Sequence, residues 1–285
     1  MSATVHYTTA TSDSQARSSD RGFNATQTLA LEPGQVDLWC VFLDDVTEAE
    51  LSRYRQLASP DELLRCDRFL VAEAQRRYLV SRALVRTALS EYANVAPAAW
   101  IFAANPYGKP SILEPAGTEL HFNVSHTAGL AVCAVTRSAE VGVDAEFVDQ
   151  GFAAVSVARL SFTAEESELL DAAAPDERMK RFFQLWTLKE AFIKGIGRGL
   201  NLPMKDFSIR MDRWQPPKVS SATERSDWNL AQIQMGKNHQ ISLCVDAAEQ
   251  HEMSICVRQV VPLRGLVRCE TLPYRLSNEW TLEWR

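Results

Sequence analysis

Two stretches hold side chains whose types and spacing could do chemistry together. In Val141-Gly-Val-Asp-Ala-Glu146, two carboxylates stand two residues apart in an apolar, strand-like run. Successive side chains of a strand point to opposite faces, so Asp144 and Glu146, two apart, share one face of a sheet. Like charges placed there repel unless a cation lies between them. The second stretch, Phe183 to Leu200, reads Phe-Gln-Leu-Trp-Thr-Leu-Lys-Glu-Ala-Phe-Ile-Lys-Gly-Ile-Gly-Arg-Gly-Leu. Trp186, Glu190 and Lys194 recur at steps of four, which stacks them on one helix face. If strand and helix meet, Glu190 adds a third oxygen ligand, and hard carboxylate oxygens with open water positions suit Mg²⁺. Asp144, Glu146 and Glu190 are therefore a candidate metal triad. The plainer alternative is an amphipathic helix with a surface Glu–Lys pair, worth roughly a few tenths of a kcal/mol.

The elements that must position these groups can be read around them. Leu185, Leu188, Phe192 and Ile196 form an apolar stripe at helical spacing, and Gly195, Gly197 and Gly199 end the helix and allow a close turn. The spacing predicts this helix over Asp176 to Lys194, preceded by a helix from Phe152 to Leu160 and a capping box at Thr163 to Glu166. Earlier, Gln35 to Leu43 is an apolar strand, and Thr47 with Glu50 forms another capping box. Ser59-Pro60-Asp61-Glu62 adds a cap, a proline at the first helical position and an acid three residues on. Trp100 to Ala104, Gly129 to Thr136 and Val141 to Glu146 are predicted strands. So are Phe207 to Arg210, Trp228 to Met235, Gln240 to Val245 and, last, Met253 to Val260. Asp212 to Arg225 reads as a polar, proline-containing connection, and no tandem period is visible. Helices packed on mostly antiparallel strands make the class α+β.

Basic groups in the first half complement the acids. Arg65, Arg68, Arg76, Arg77, Arg82 and Arg86 lie in a helical region. Arginine suits phosphate, although long basic side chains also simply cover helix surfaces. Asn105-Pro-Tyr-Gly-Lys-Pro110 is a rigid loop that either holds Lys109 on a phosphate or leaves it in solvent. His121-Phe-Asn-Val-Ser-His-Thr127 runs from a short strand into a polar turn, where His126 is a ligand contact or a structural hydrogen-bonding group. A cleft between the halves follows if all these groups share one site.

The 285 residues are 46% apolar and 23% charged, with 30 basic and 36 acidic side chains and a formal charge of -6. No overall positive field exists to collect phosphates, which argues against a nucleic-acid partner. The six cysteines include no CxxC, and several sit in apolar runs, as buried free thiols of a reducing, cytoplasmic protein do. No signal peptide or membrane-spanning run is evident. Residues 1–32 read as a flexible leader, 33–145 as an N-terminal α+β half and 146–285 as a C-terminal α+β half.

Taken together, Asn105-Pro-Tyr-Gly-Lys-Pro110, Phe122-Asn-Val-Ser-His126, Gly142-Val-Asp-Ala-Glu146 and Trp186-Thr-Leu-Lys-Glu-Ala-Phe-Ile-Lys194 resemble the ordered motifs of Sfp-type 4′-phosphopantetheinyl transferases. Gly197-Arg-Gly-Leu200 and Pro203 extend the last motif, and the resemblance covers about residues 35 to 245. It implies a pseudo-twofold fold of two similar α+β halves, with coenzyme A and Mg²⁺ in the cleft between them. The implied reaction moves phosphopantetheine to a serine of an apo acyl or peptidyl carrier protein and releases adenosine 3′,5′-bisphosphate. By the same resemblance Asp144, Glu146 and Glu190 are the metal ligands and Lys194 the catalytic-helix lysine; Glu190, one turn before it on the same face, is the candidate catalytic base for the carrier serine. Lys109, Ser125 and His126 are contacts to coenzyme A, joined by Arg65 and Arg77. Glu62 departs from the pattern, standing where relatives can have a basic phosphate contact. The chain is expected to act as a monomer, with carriers docking near Phe152 to Ala174. A coenzyme-A-binding adaptor without transferase chemistry is the alternative of a different class.

Overall fold

Two successive passes of the chain lay down the same order of elements: a strand, three helices, a two-stranded hairpin and two further strands. The computed structural model describes residues 28–149, 154–212, 215–247, 253–272 and 279–284. The first pass is β1 (Gln35–Phe42), α1 (Glu48–Leu57), α2 (Pro60–Cys66), α3 (Ala72–Ser90), the hairpin β2 (Ile101–Ala104) and β3 (Pro110–Glu114), then β4 (Leu120–Thr127) and β5 (Leu130–Arg137). The second is β6 (Val141–Phe147), α4 (Ala154–Ser161), α5 (Ala164–Asp171), α6 (Pro175–Ile196), the hairpin β7 (Phe207–Asp212) and β8 (Gln215–Ser221), then β9 (Trp228–Met235) and β10 (His239–Asp246). β11 (Ser254–Val261), β12 (Gly265–Leu272) and β13 (Glu279–Leu282) follow.

The sheets repeat as the elements do. One has the order β12-β11-β1-β5-β4 and the other β13-β9-β10-β6, so the cores β1-β5-β4 and β6-β10-β9 correspond. Pairing within each core is antiparallel; β11 joins β1, and β13 joins β9, in parallel. The expected α+β class with a twofold-like repeat is what this topology shows. Alternation places one set of side chains between the sheets: Leu38 and Val132 from the first meet Val143, Ile233 and Leu243 from the second. The opposite faces pack against helices, β1 and β5 under α3, and β9 and β10 under α6. All three expected capping boxes form, at Thr47, Ser59 and Thr163.

Several expectations need correcting. β6 belongs to the second sheet and β11 with β12 to the first, so sheet membership crosses the expected division at residue 145. The passes meet instead at the turn 138–140, where Ser138 takes a positive φ of 61°. Most of the expected leader lies outside the described residues, but Leu31 is buried and the Leu29 N–H donates to the Glu91 carbonyl at 2.6 Å, so packing begins before residue 33. The supposed connection after Asp212 contains strand β8, which pairs with β7 alone; prolines are tolerated in such an edge strand. The polar turn expected at Ser125 and His126 is strand, and β4 continues through Thr127.

Candidate functional site

Strand β6 and helix α6 meet because glycine occupies their crossing. A Cβ built on Gly142 would stand 2.0 Å from the Ala191 carbonyl oxygen and 2.4 Å from the Gly195 nitrogen, so only glycine lets the two backbones approach this closely. The apolar stripe of α6 packs inward as its spacing predicts, Leu188 and Phe192 completely buried and Ile196, at the helix end, partly so. Gly197 closes the helix in the left-handed region at φ 75°, its N–H donating to the Ile193 carbonyl.

A second contact brings in the first pass. β6 is the outer strand of its sheet, and the polar side chains of β4 run along it. Asn123 Oδ1 accepts from the Val143 N–H at 2.9 Å, Ser125 Oγ from Ala145 at 3.3 Å and Thr127 Oγ1 from Phe147 at 2.9 Å. The period-two polar pattern of β4 thus satisfies an edge that would otherwise be buried with unpaired donors.

At this seam the acids gather. Asp144 is 4% exposed; its Oδ1 accepts from Lys194 Nζ at 2.6 Å and from Ser125 Oγ at 3.0 Å, and Lys194 Nζ also reaches Ser125 Oγ at 2.9 Å. Asp144 Oδ2 is buried without a hydrogen-bond partner. Glu146 accepts from Thr127 Oγ1 at 3.4 Å. Burial, followed by the Asp144 charge, pushes the Glu146 carboxyl up to about 7 and raises Glu190 in the same way. Among the described residues no three His, Cys, Asp or Glu side chains are already drawn into a metal-ligating group. The Lys194 ammonium is the cation that compensates Asp144 here. The donor chemistry nevertheless suits a hard divalent ion: three carboxylates, one with an orphaned buried oxygen and two raised by burial and the neighbouring Asp144 charge.

The basic groups divide between places. Ser125 and His126 are neighbours on a strand, so they face opposite ways. Ser125 joins the acids, whereas His126 turns toward the helical side of the first pass. Desolvation, then the charges of Arg77, Lys194 and Arg82, draws the His126 imidazole below its usual range. Arg65 and Arg82 lie 5.9 and 5.5 Å from the Tyr78 ring centroid, within cation–π reach. Arg82 Nε is buried without a partner, and nothing in the spacing of the six arginines distinguished it. Arg76 and Arg86 are structural. Arg76 pairs with Glu48, while buried Arg86 holds Glu62 at 2.8 Å and donates to the Pro97 and Trp100 carbonyls. Glu62 also accepts from the Ser59 N–H in its capping box, which accounts for an acid at that position.

Lys109 is already engaged. Its ammonium pairs with the Glu140 carboxylate and donates to the Gly195 carbonyl at 2.6 Å, completing the end of α6. Asn105 orders the same loop: Nδ2 donates to the Gly197 carbonyl at 2.8 Å, and Oδ1 accepts from the Tyr107 and Lys109 N–H groups. A Cβ on Gly197 would come within 2.8 Å of Lys109 Cδ. Trp186, on the face of Glu190 and Lys194, stacks on Phe182 and serves the aromatic core. Lys189 went unsingled by spacing. It is fully buried, donating at 2.7 Å to both oxygens of Glu166 and to the Phe207 carbonyl. Its basic type inside an apolar helix stripe was the signal available.

Comparison with known proteins fits this division of the chain. Residues 45–138 match the family model "4'-phosphopantetheinyl transferase, N-terminal", and residues 140–244 match "4'-phosphopantetheinyl transferase superfamily". The two matches abut at the turn between the passes. A 4'-phosphopantetheinyl transferase of Bacillus subtilis is 31% identical over 222 residues, covering 77% of this chain and 91% of the relative. The 4'-phosphopantetheinyl transferase HetI of Nostoc sp. is 32% identical over 206 residues, covering 72% of this chain and 85% of its own. The 4'-phosphopantetheinyl transferase Sfp of Bacillus subtilis strain 168 is 28% identical over 208 residues, covering 73% and 91%. With acids, lysine and serine meeting at the seam of two repeated passes, and with relatives matched along most of their length, the chain belongs to the 4′-phosphopantetheinyl transferase family.

Proposed function

We propose that this protein transfers the 4′-phosphopantetheine group of coenzyme A to a serine of an apo carrier protein, leaving adenosine 3′,5′-bisphosphate. The observation that supports this reading most is the Lys194–Asp144–Ser125 contact, which joins the helix of one pass to the strand of the other beside two carboxylates of raised pKa. Asp144, Glu146 and Glu190 would hold Mg²⁺. When bound there, the ion offsets charge developing on the transferred phosphoryl group.

This chain's own side chains then divide the proton work. In the reaction the carrier serine oxygen bonds to phosphorus while the bond from phosphorus to the nucleotide oxygen breaks. Glu190, on the helix face it shares with Lys194, accepts the serine proton, directly or through water. Lys194, one turn along, stabilises or protonates the departing nucleotide phosphate. Ser125 Oγ fixes the Lys194 ammonium and Asp144 relative to each other.

Coenzyme A would lie across the seam, its nucleotide phosphates toward Arg65, Arg77 and His126 on the helical side. Lys109 joins them if the donor's phosphate shares or displaces its Glu140 partner. For the carrier, the exposed Leu160 of α4 and Leu169 of α5 supply apolar contacts beside the catalytic helix. The expected docking stretch begins at Phe152, which lies outside the described residues. No helix among the described residues is long and apolar enough to cross a membrane.

The test is a panel of purified apo acyl and peptidyl carriers incubated with coenzyme A, Mg²⁺ and this protein. A phosphopantetheine mass gain on the carrier serine is expected, abolished by chelating the metal. Coenzyme A binding without mass gain on any carrier would contradict the transferase reading; transfer undiminished by chelation would contradict the metal's part in it.

A further inference from the structure

Far from the acids, on the sheet that β11 and β12 complete, two cysteines stand side by side. Cys256 Sγ and Cys269 Sγ are 3.3 Å apart. In the strand register Arg258 is opposite Cys269 and Cys256 opposite Thr271, so the thiols are diagonal neighbours on one face. Their surroundings differ. Cys256 is buried, whereas Cys269 is exposed on the outer strand. Arg258 Nη1 donates to Cys269 Sγ at 3.7 Å, while its Nε is fixed by the buried carboxylate of Asp37 at 2.9 Å.

From this geometry we infer that Cys256 and Cys269 are a site of reversible oxidation, closing to a disulfide between β11 and β12 when the protein meets a hydroperoxide. Cys269 is the attacking thiol, since it is exposed on the outer strand and solvent reaches it. Burial, with the hydrogen bond to Cys269, pushes the Cys256 thiol up to about 12, so Cys256 stays protonated and is not the first of the two to meet the peroxide. In the first step the Cys269 thiolate attacks the O–O bond. An S–O bond forms, the leaving alkoxide or hydroxide takes a proton, and Cys269 is oxidised to the sulfenic acid as the peroxide is reduced. Cys256 then attacks that sulfur; the S–S bond forms, the S–O bond breaks, and hydroxide leaves with the Cys256 proton as water. Two thiols and one hydrogen peroxide give one disulfide and two waters, and a dithiol reverses the change. A disulfide needs the sulfurs at about 2.05 Å, so the outer strand β12 must draw in toward β11 as the side chains rotate. Cys40, Cys66, Cys133 and Cys244 are each buried.

The experiment treats the full chain with stoichiometric hydrogen peroxide under native conditions, then alkylates under denaturation and measures intact and peptide masses. Of the six cysteines, the count accepting alkylation should fall by two, with one linked peptide pair containing Cys256 and Cys269, restored by dithiothreitol. Cys256→Ser should halt at a Cys269 sulfenic acid trapped by dimedone. Cys269→Ser, at an exposed position, should lose no alkylation sites. Six alkylatable thiols after peroxide in the wild type, a link between other cysteines, or Cys269 passing to sulfinic acid without a link would each overturn the assignment.

Discussion

Asp144 is where the residue-scale account is most constrained: one oxygen shared by an ammonium and a hydroxyl, the other buried with nothing. Asp144, Glu146, Glu190 and Lys194 were legible in the sequence because periods of two and four state which side chains share a face. That strand and helix meet followed from no single residue; the close approach at Gly142 and Gly195 settles it. Arg82, half-buried with a buried Nε, and Lys189, fully buried, were illegible for a different reason, since only tertiary neighbours separate such groups from basic side chains lying over a helix surface. Arginine recognition gives a prediction at this scale. If Arg77 reads the 3′-phosphate of coenzyme A, Arg77→Ala should lose most of the preference for coenzyme A over 3′-dephospho-coenzyme A. A charged hydrogen bond of this kind contributes about 1.5–3 kcal/mol. Calorimetric titration of both ligands checks it, and preference unchanged in the variant would place the phosphate elsewhere.

At the scale of elements, two residues fix how α6 sits. Gly142→Ala places a methyl group on the Ala191 carbonyl, so strand or helix must shift; overpacking of this sort costs about 1–3 kcal/mol. Denaturant unfolding should show that loss together with reduced transfer, because the same shift separates Asp144 from Lys194. Lys189→Met removes one partner of a buried ion pair, leaving the Glu166 carboxylate with only the Ile209 and Thr163 N–H groups and the Phe207 carbonyl without its lysine donor. A destabilisation of about 3–5 kcal/mol is expected. Wild-type stability in this variant would show the pair to be replaceable by apolar packing. The strongly patterned elements were readable, above all α6 and the three capped helices. β12 was not, since all but its last residue are exposed and it shows no apolar alternation, and β13 is only four residues long. β8 was hidden by its prolines, which read as a connection although an edge strand admits them.

At the scale of the whole molecule, the site exists because two passes of one topology are joined along β4 and β6, and the repeat left no trace as a sequence period. The junction has its own electrostatics. Glu140, at the turn between the passes, holds Lys109 and His121 of the first pass, and these hydrogen bonds and charges bring its carboxyl down to about 2. A carboxyl whose folded pKa is depressed adds stability above its unfolded value, about 4.3, and loses it as pH falls through the folded value. Glu140→Gln should therefore lower stability at neutral pH and flatten the acid-side decline between about pH 4.3 and 2. Unfolding curves of both proteins across that range check this, and parallel decline in the two would remove Glu140 from the account. The claim that the seam is a phosphoryl-transfer site is tested most directly by single-turnover rapid quench at saturating coenzyme A and apo carrier, measuring transferred 4′-phosphopantetheine. Lys194→Met should still fold and bind coenzyme A, with some stability lost as buried Asp144 loses its partner, while its chemical step falls by about 10²–10⁴-fold, the range of general acid catalysis. Transfer by Lys194→Met at the wild-type chemical rate would contradict the account.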